Sequence, residues 1–173
     1  TLESGLNRYN ATRDNFDGFT LTFYYNSSSY TQKSPAEIPF TLTFLNDHSI
    51  TSVFEDNRGT LWIGTFGNGL FRFNRNDETF SHRPYDFPDR SGLSYNIKSI
   101  TETVTKSGKN MLWIGTFGGG LLRFDATNGF TALRHEAGNM NSLIDNRIVH
   151  LYPDTAKDGS RLWICTLGGL DCY

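Results

Sequence analysis

The hydrophobic positions of this chain cluster into short runs of about five residues, separated by polar or glycine-rich segments. The clearest runs lie at 50–54, 61–65 and 70–74, and a weaker one lies at 79–83. Runs of this length, rich in β-branched and aromatic residues, predict β-strands, and no sustained 3.6-residue period predicts a helix. The segment Gly67–Gly69 predicts a tight turn, because glycine and asparagine accept the positive φ angles that such turns need.

This pattern occurs three times along the chain. The heptad Leu-Trp-Ile-Gly-Thr-Phe-Gly at 61–67 returns unchanged at 112–118, and 162–168 reads Leu-Trp-Ile-Cys-Thr-Leu-Gly. Residues 1–10 also resemble residues 65–74, at an offset of 64. Identity in register over this many positions indicates internal repeats.

The repeats divide the chain into periods 1–64, 65–115 and 116–165, followed by a stub at 166–173. Each period predicts four short antiparallel strands, which is the content of one β-propeller blade. The predicted fold class is therefore all-β: one partial β-propeller of about three four-stranded antiparallel blades over residues 1–173. The first period is longer than the others, and its excess within 17–44 predicts an extended hairpin.

Closure of the predicted propeller needs more blades than this chain supplies. Propeller rings usually hold 4–8 blades, so three blades leave open sides with apolar faces and unpaired strand edges. We therefore expect the chain to be a fragment of a larger ring, or to pair with a second copy through its open blade edges. A chain that begins at Thr1 fits the first alternative.

The repeat resembles the two-component regulator propeller repeat. Its pattern is Ile-x-x-Val-x-Glu-Asp-x-x-Gly-x-Leu-Trp-Ile-Gly-Thr-x-Gly-x-Gly-Leu-x-Arg-Phe, which residues 50–73 follow almost position by position. Residues 97–124 follow it with a four-residue expansion at Val104–Ser107 in the first turn. Residues 148–173 follow it with three departures: Cys165 replaces a glycine, one turn glycine is missing, and Cys172 replaces the arginine. The resemblance covers essentially the whole chain.

That resemblance implies the periplasmic sensor region of an inner-membrane hybrid histidine kinase of the Bacteroidetes type. Such a region is expected to detect an oligosaccharide and to signal to a cytoplasmic kinase, without enzymatic activity of its own. Two alternatives stay open: a propeller enzyme such as a lyase or glycosidase, and a purely structural or protein-docking propeller. Carboxylates or histidines that converge from different blades would favour the enzyme.

Composition narrows the candidate chemistry. The chain of 173 residues has a net charge of −2 and no basic block, which argues against a nucleic-acid partner. Its four histidines lack metal-ligand spacing, so neither a metal site nor a cofactor is predicted. The pair Glu55–Asp56 lies in the first turn of a repeat, where aspartate commonly serves turn geometry. The tryptophans are predicted to be packing residues between blades.

A ligand site is predicted on one face of the propeller. The turns between second and third strands and the links between blades emerge on that face, and they supply aromatic, basic and acidic side chains. Aromatic rings suit the CH faces of a sugar, and charged groups suit its hydroxyl or acid groups. The predicted ligand-binding residues are Phe66, Arg90, Tyr95, Phe117 and Asp145.

The two cysteines are predicted to lie opposite each other in a hairpin. Cys165 ends one predicted strand and Cys172 lies in the next, across a turn at Gly168–Gly169. Opposed strand positions bring Cβ atoms near disulfide range, so the sequence leaves open a strained disulfide or two free, mostly buried thiols.

Overall fold

The structure is a computed structural model that describes residues 7–12, 14–18, 21–23, 40–42, 50–76, 79–82, 95–105, 107–125, 129–154 and 161–173. Over these residues the regular structure is almost entirely β, which confirms the predicted fold class. The strands are β1 (Asn7–Asn10), β2 (Asn15–Gly18), β3 (Leu21–Phe23), β4 (Phe40–Leu42), β5 (Ile50–Glu55), β6 (Leu61–Thr65), β7 (Leu70–Asn74), β8 (Thr79–His82), β9 (Ile97–Val104), β10 (Asn110–Thr116), β11 (Leu121–Asp125), β12 (Gly129–Leu133), β13 (Ile148–Asp154), β14 (Arg161–Thr166) and β15 (Leu170–Cys172). Among the described residues, no helix has the length and apolarity needed to cross a bilayer.

Each repeat forms an antiparallel meander whose strands follow one another in chain order. Strands β9 to β12 make a complete four-stranded sheet, which we call the second blade. Strands β5 to β8 make the first blade, and β13 to β15 make three strands of the third blade. The blades therefore confirm the predicted meander, and the predicted strands 61–65 and 70–74 coincide with β6 and β7.

The N-terminal hairpin repeats the outer half of a blade. Strand β1 pairs with β2 so that Asn10 opposes Asn15, just as Asn74 opposes Thr79 in the pair β7–β8, 64 positions later. Strands β1 and β2 thus correspond to the third and fourth strands of a repeat. Within the predicted hairpin 17–44, β3 and β4 do pair antiparallel, and β3 lies parallel to the outer strand β8. Residues 17–18 belong to β2, and the remainder of that segment lies outside the described residues.

The hydrophobic core lies between blades, because adjacent blades pack face to face. Strand β9 of the second blade contacts β5 of the first blade on one side and β13 of the third blade on the other. One buried cluster joins the first and second blades, and includes Trp62, Leu70, Ile97 and Ile114. A second cluster, which includes Trp113, joins the second and third blades. This confirms that these two tryptophans are packing residues between blades.

The glycine within the Trp-Ile-Gly motif is required by blade packing. A Cβ atom placed on Gly115 would lie 2.6 Å from Cγ2 of Ile148, which begins the first strand of the third blade. Gly64 meets Ile97 of the second blade even more closely. Contacts below 3.0 Å cannot be accommodated without movement, so each glycine lets the isoleucine of the next blade approach its backbone. We call this contact the glycine–isoleucine joint.

Each tryptophan donates its indole hydrogen to a residue near the end of the first strand in its own blade. Trp62 donates to Asp56 at 2.8 Å, Trp113 donates to the hydroxyl of Thr103 at 2.8 Å, and Trp163 donates to Asp154 at 3.3 Å. The three acceptors occupy equivalent positions, two residues beyond the strand partner of each tryptophan. A buried N–H without a partner is costly, so these acceptors stabilise the position of each ring.

Asp56 also shapes the turn between β5 and β6. Its other carboxylate oxygen accepts hydrogen bonds from the backbone N–H groups of Arg58 and Thr60. Glu55 is paired instead with Arg75, at 2.6 Å. Asp56 therefore serves turn geometry, as predicted for this position, and Glu55 forms an exposed ion pair that was not predicted.

The four-residue expansion of the second repeat lies in its strands, and the prediction of an expanded turn is wrong. Thr105 repeats the turn bonds of Asp56: its N–H donates to Lys109, its carbonyl accepts from Gly108, and its hydroxyl accepts from the N–H of Lys109. The turn therefore keeps its length. Strand β9 has 8 residues where β5 has 6, and β10 has 7 where β6 has 5. Each strand is thus two residues longer, and Thr103 and Thr105 divide the two roles of Asp56.

The cysteines do not oppose each other, so this prediction is also wrong. Cys165 pairs with Leu170, and Cys172 pairs with Trp163, which offsets the two cysteines by two positions along the hairpin. The cause is the position of the turn: the N–H of Thr166 donates to the carbonyl oxygen of Gly169, so the two turn residues are Leu167 and Gly168 rather than Gly168 and Gly169. Both thiols are free; Cys165 is half-buried and Cys172 is exposed, rather than mostly buried.

Candidate ligand-binding face

Glycine turns and interblade links meet at one edge of the blades. In the turn between β6 and β7, the N–H groups of Gly67 and Gly69 both donate to the carbonyl oxygen of Tyr95 in the link to the second blade. Gly118 and Gly120 donate in the same way to Asn146, in the link to the third blade. These bonds fasten each turn to the following link, so the residues of both segments form one continuous face.

Two equivalent phenylalanines on this face flank a single lysine. Phe66 follows β6 and Phe117 follows β10, and the Nζ atom of Lys98 lies 5.2 Å and 5.4 Å from the centroids of their rings. The ring of Phe66 is 50% exposed, and that of Phe117 is half-buried. Both distances fall within the range of cation–π attraction, so the three side chains form one group, which we call the Phe–Lys–Phe cluster.

Lys98 was absent from the predicted site residues. It lies in β9 at a position that corresponds to Thr51 in the first blade and Val149 in the third blade. A comparison of the three repeats could have identified Lys98, since only the second repeat has a charged residue at this position. Its proximity to a phenylalanine of the preceding blade depends on blade packing, which the sequence of one repeat does not contain.

Asp145 is held by Arg147 in the link to the third blade. The backbone N–H and the Nε of Arg147 donate to the carboxylate at 2.8 Å and 3.0 Å, and its Nη2 forms a further ion pair with it. These hydrogen bonds and the positive charge of Arg147 lower the pKa of Asp145 from 3.8 to about 2. The carboxylate therefore stays ionised, with its charge balanced by a neighbour.

We expect this pKa to be visible by carboxyl NMR titration. The Asp145 carboxyl resonance should titrate with a midpoint near 2, and Arg147→Gln should return the midpoint toward 3.8. Because the pKa is lower in the folded chain, the stabilisation is present above pH ~3.8 and disappears as the pH falls through ~2. A midpoint near 3.8 in the unmodified chain would contradict the pairing.

A depression of about 650 Å³ adjoins Phe117 on the same face. Asn96, Phe117, His135, Asp145 and Arg147 contribute to its lining. The Nδ1 of His135 lies 2.7 Å from the carbonyl oxygen of Leu143, which can only accept, so Nδ1 carries the hydrogen and the ring orientation is fixed. The volume is within the range of small-molecule sites in proteins.

The predicted site residues differ in their placement. Phe66 and Phe117 belong to the Phe–Lys–Phe cluster, and Asp145 lines the depression beside Phe117. Tyr95 is half-buried and packs against the core between the first and second blades. Arg90 lies outside the described residues. Their roles in ligand binding remain predictions.

No three His, Cys, Asp or Glu side chains within the described ranges lie together in an arrangement that could hold a metal ion.

The meanders and their face-to-face packing define the chain as a run of β-propeller blades. Residues 45–67 match the family model described as the two-component regulator propeller, which confirms the resemblance seen in the repeat. A curated relative, Histidine kinase P4 of Formosa agariphila, is 31% identical over 172 residues, which make up 99% of this chain and 11% of the relative.

Solved structures show the same fold. Two crystal structures are of the extracellular domain of the same B. thetaiotaomicron protein. One structure describes it as a proposed one component system, and the other describes it as a proposed hybrid two component system. Their TM-scores are 0.67 and 0.65 at 23% and 24% identity, and each alignment covers 98% of this chain. The chain spans about a fifth of those domains and about a tenth of the curated relative.

Proposed function

We propose that this chain is part of the extracytoplasmic ligand-sensing propeller of a hybrid two-component regulator. In this proposal the propeller lies in the periplasm, an oligosaccharide binds to it, and binding is signalled across the inner membrane to a cytoplasmic kinase. The repeat family and the kinase relative support the regulator, and the extracellular domains with the same fold support the location. The chain itself acts as a binding module rather than an enzyme.

The observation that carries the binding role is the Phe–Lys–Phe cluster beside the depression. Phe66 and Phe117 come from consecutive blades, yet both reach the same lysine on one face. An exposed ring such as Phe66 offers a flat apolar surface for the CH groups of a sugar, and the polar lining of the depression offers partners for hydroxyl groups. Arg90, Tyr95 and Asp145 complete the proposed site.

The open side of the third blade belongs to the same proposal. Leu170 is 56% exposed and lies opposite Cys165, whose equivalents Gly64 and Gly115 face the next blade. Tyr152 is 59% exposed and lies opposite Trp163, whose equivalent Trp62 packs against the next blade. Such exposure of large side chains on one face of a sheet is unusual. We propose that further blades, or a second copy of the chain, cover this side through the open blade edges.

Calorimetry on the intact regulator's sensor region tests the binding role. The titrants are a defined panel of neutral oligosaccharides (xylo-, manno-, galacto- and arabino-) and acidic ones (oligogalacturonates and sulfated galacto-oligosaccharides). We expect at least one titrant to bind. The double variant Phe66→Ala/Phe117→Ala should bind that titrant about tenfold or more weakly, because each aromatic contact contributes about 0.5–1.5 kcal/mol.

The control is Val104→Ala, which shortens an equally exposed apolar side chain at the opposite end of the second blade, away from the Phe–Lys–Phe cluster. Its affinity should equal that of the unmodified protein. Binding by no member of the panel, or unchanged affinity in the double phenylalanine variant, would refute the proposed binding role.

A further inference from the structure

We infer that the oligosaccharide bound at this face is anionic, and that its carboxylate or sulfate group binds the ammonium group of Lys98. This inference rests on the proposed function, since it specifies the chemical class of the ligand for the same face. It is carried by the position of Lys98, by the charges around it and by the exposure of the rings beside it.

The blade framework does not require a cation at this position. Thr51 fills the equivalent place in the first blade, where its hydroxyl donates to the carbonyl oxygen of Ile97 at 2.6 Å. Val149 fills it in the third blade and is 45% exposed. Because a polar and an apolar residue both suit the fold here, the charge of Lys98 is specific to the second blade.

The charge of Lys98 is not balanced by a carboxylate within the described residues. Asp145, the acidic side chain lining the adjacent depression, is held by Arg147. Two further ion pairs among the described residues join Arg75 to Glu55 and Lys109 to Asp125, and both involve the turns at the opposite end of the blades. Asp145 and Arg147 offset each other, so within the described residues Lys98 adds a positive charge to this face that no carboxylate pairs with.

The surroundings of Lys98 favour an anion over a neutral or cationic group. The phenyl rings of Phe66 and Phe117 displace part of the water around Nζ without supplying a counter-charge, so an anion regains a strong interaction there. A cation is repelled by Nζ, and a neutral hydroxyl accepts a weaker hydrogen bond than a carboxylate. A sugar acid can contact the exposed ring of Phe66 while its acidic group reaches Nζ.

Calorimetry on the intact sensor region with matched probes tests this inference. The probes are trigalacturonate, its methyl ester, a galactotriose and a sulfated galactotriose, so that carboxylate, sulfate and neutral forms of similar sugars are compared. We expect an acidic probe to bind at least tenfold more tightly than its neutral counterpart, and to weaken as salt is raised. The preferred acidic probe distinguishes carboxylate from sulfate.

Substitutions at Lys98 then test whether its ammonium group binds the acidic group of the probe. Lys98→Met should weaken the preferred acidic probe about tenfold to a hundredfold, and Lys98→Arg should retain much of the affinity because it keeps the charge. Arg58→Met removes one positive charge from the turn at the opposite end of the first blade, and it should leave the affinity unchanged.

The outcomes separate this inference from the proposed function. Binding of a neutral probe that depends on Phe66 and Phe117 but not on Lys98 would overturn the anionic ligand and leave the binding role intact. An acidic probe whose affinity is unaffected by Lys98→Met would also overturn it. Failure of every probe and every member of the neutral panel would overturn both.

Discussion

Replacing Trp113 with alanine is expected to lower the free energy of unfolding of the full chain by about 3–5 kcal/mol. The indole is 3% exposed, lies in the core between the second and third blades, and contacts the ring of Tyr173 at 4.8 Å between centroids. Its removal leaves a cavity and also leaves the hydroxyl of Thr103 without the indole donor. Urea denaturation followed by circular dichroism measures the loss.

The third repeat supplies the matched control for this substitution. Trp163 is the equivalent residue but is only half-buried, and its bond to Asp154 is longer, at 3.3 Å. Trp163→Ala should therefore cost clearly less than Trp113→Ala in the same chain. Equal losses at the two positions would show that burial between blades does not account for the effect.

Substitution of Gly115 by alanine is expected to destabilise the full chain by about 1–3 kcal/mol, through overpacking at the glycine–isoleucine joint. The added methyl group would lie 2.6 Å from Cγ2 of Ile148, so the third blade must move away from the second. The φ angle of Gly115 is not positive, so alanine fits its backbone conformation. The cost therefore comes from the contact with Ile148 rather than from backbone strain. Thermal unfolding of the full chain measures the change.

A double-mutant cycle identifies the contact responsible. Ile148→Ala alone should cost about 2–5 kcal/mol, but combined with Gly115→Ala it should cost less than the sum, because the two methyl groups no longer clash. Cys165→Ala is the control, since Cys165 occupies the equivalent position of the third repeat. It should change the stability by less than ~1 kcal/mol. Strict additivity of the two substitutions would refute the joint.

Strand content could be predicted from the sequence because it depends on local patterns. The runs 61–65 and 70–74 are bounded by turn residues, and the structure begins and ends strands there. The offset of 64 likewise located the N-terminal hairpin in the repeat. Such features need only neighbouring residues and the comparison of one repeat with another.

Features that depend on packing or on the exact position of a turn could not be predicted in the same way. The role of Gly115 requires its approach to a residue 33 positions later, which no local pattern shows. The register of Cys165 and Cys172 was missed because the two-residue turn lies at 167–168, one residue before the pair of glycines. The Phe–Lys–Phe cluster combines side chains of two blades, so it became visible only once the blades were packed.

The lengthening of β9 and β10 restricts how such repeats can grow. A side chain changes faces of the sheet at every step along a strand, so one added residue per strand would carry the turn at Thr105 to the wrong side of the blade. Two added residues per strand restore the original orientation, as in the second blade, where Thr103 still reaches Trp113. Insertions at this hairpin that keep the same turn should therefore occur in multiples of four residues, and a designed two-residue insertion should disrupt the hairpin more than a four-residue one.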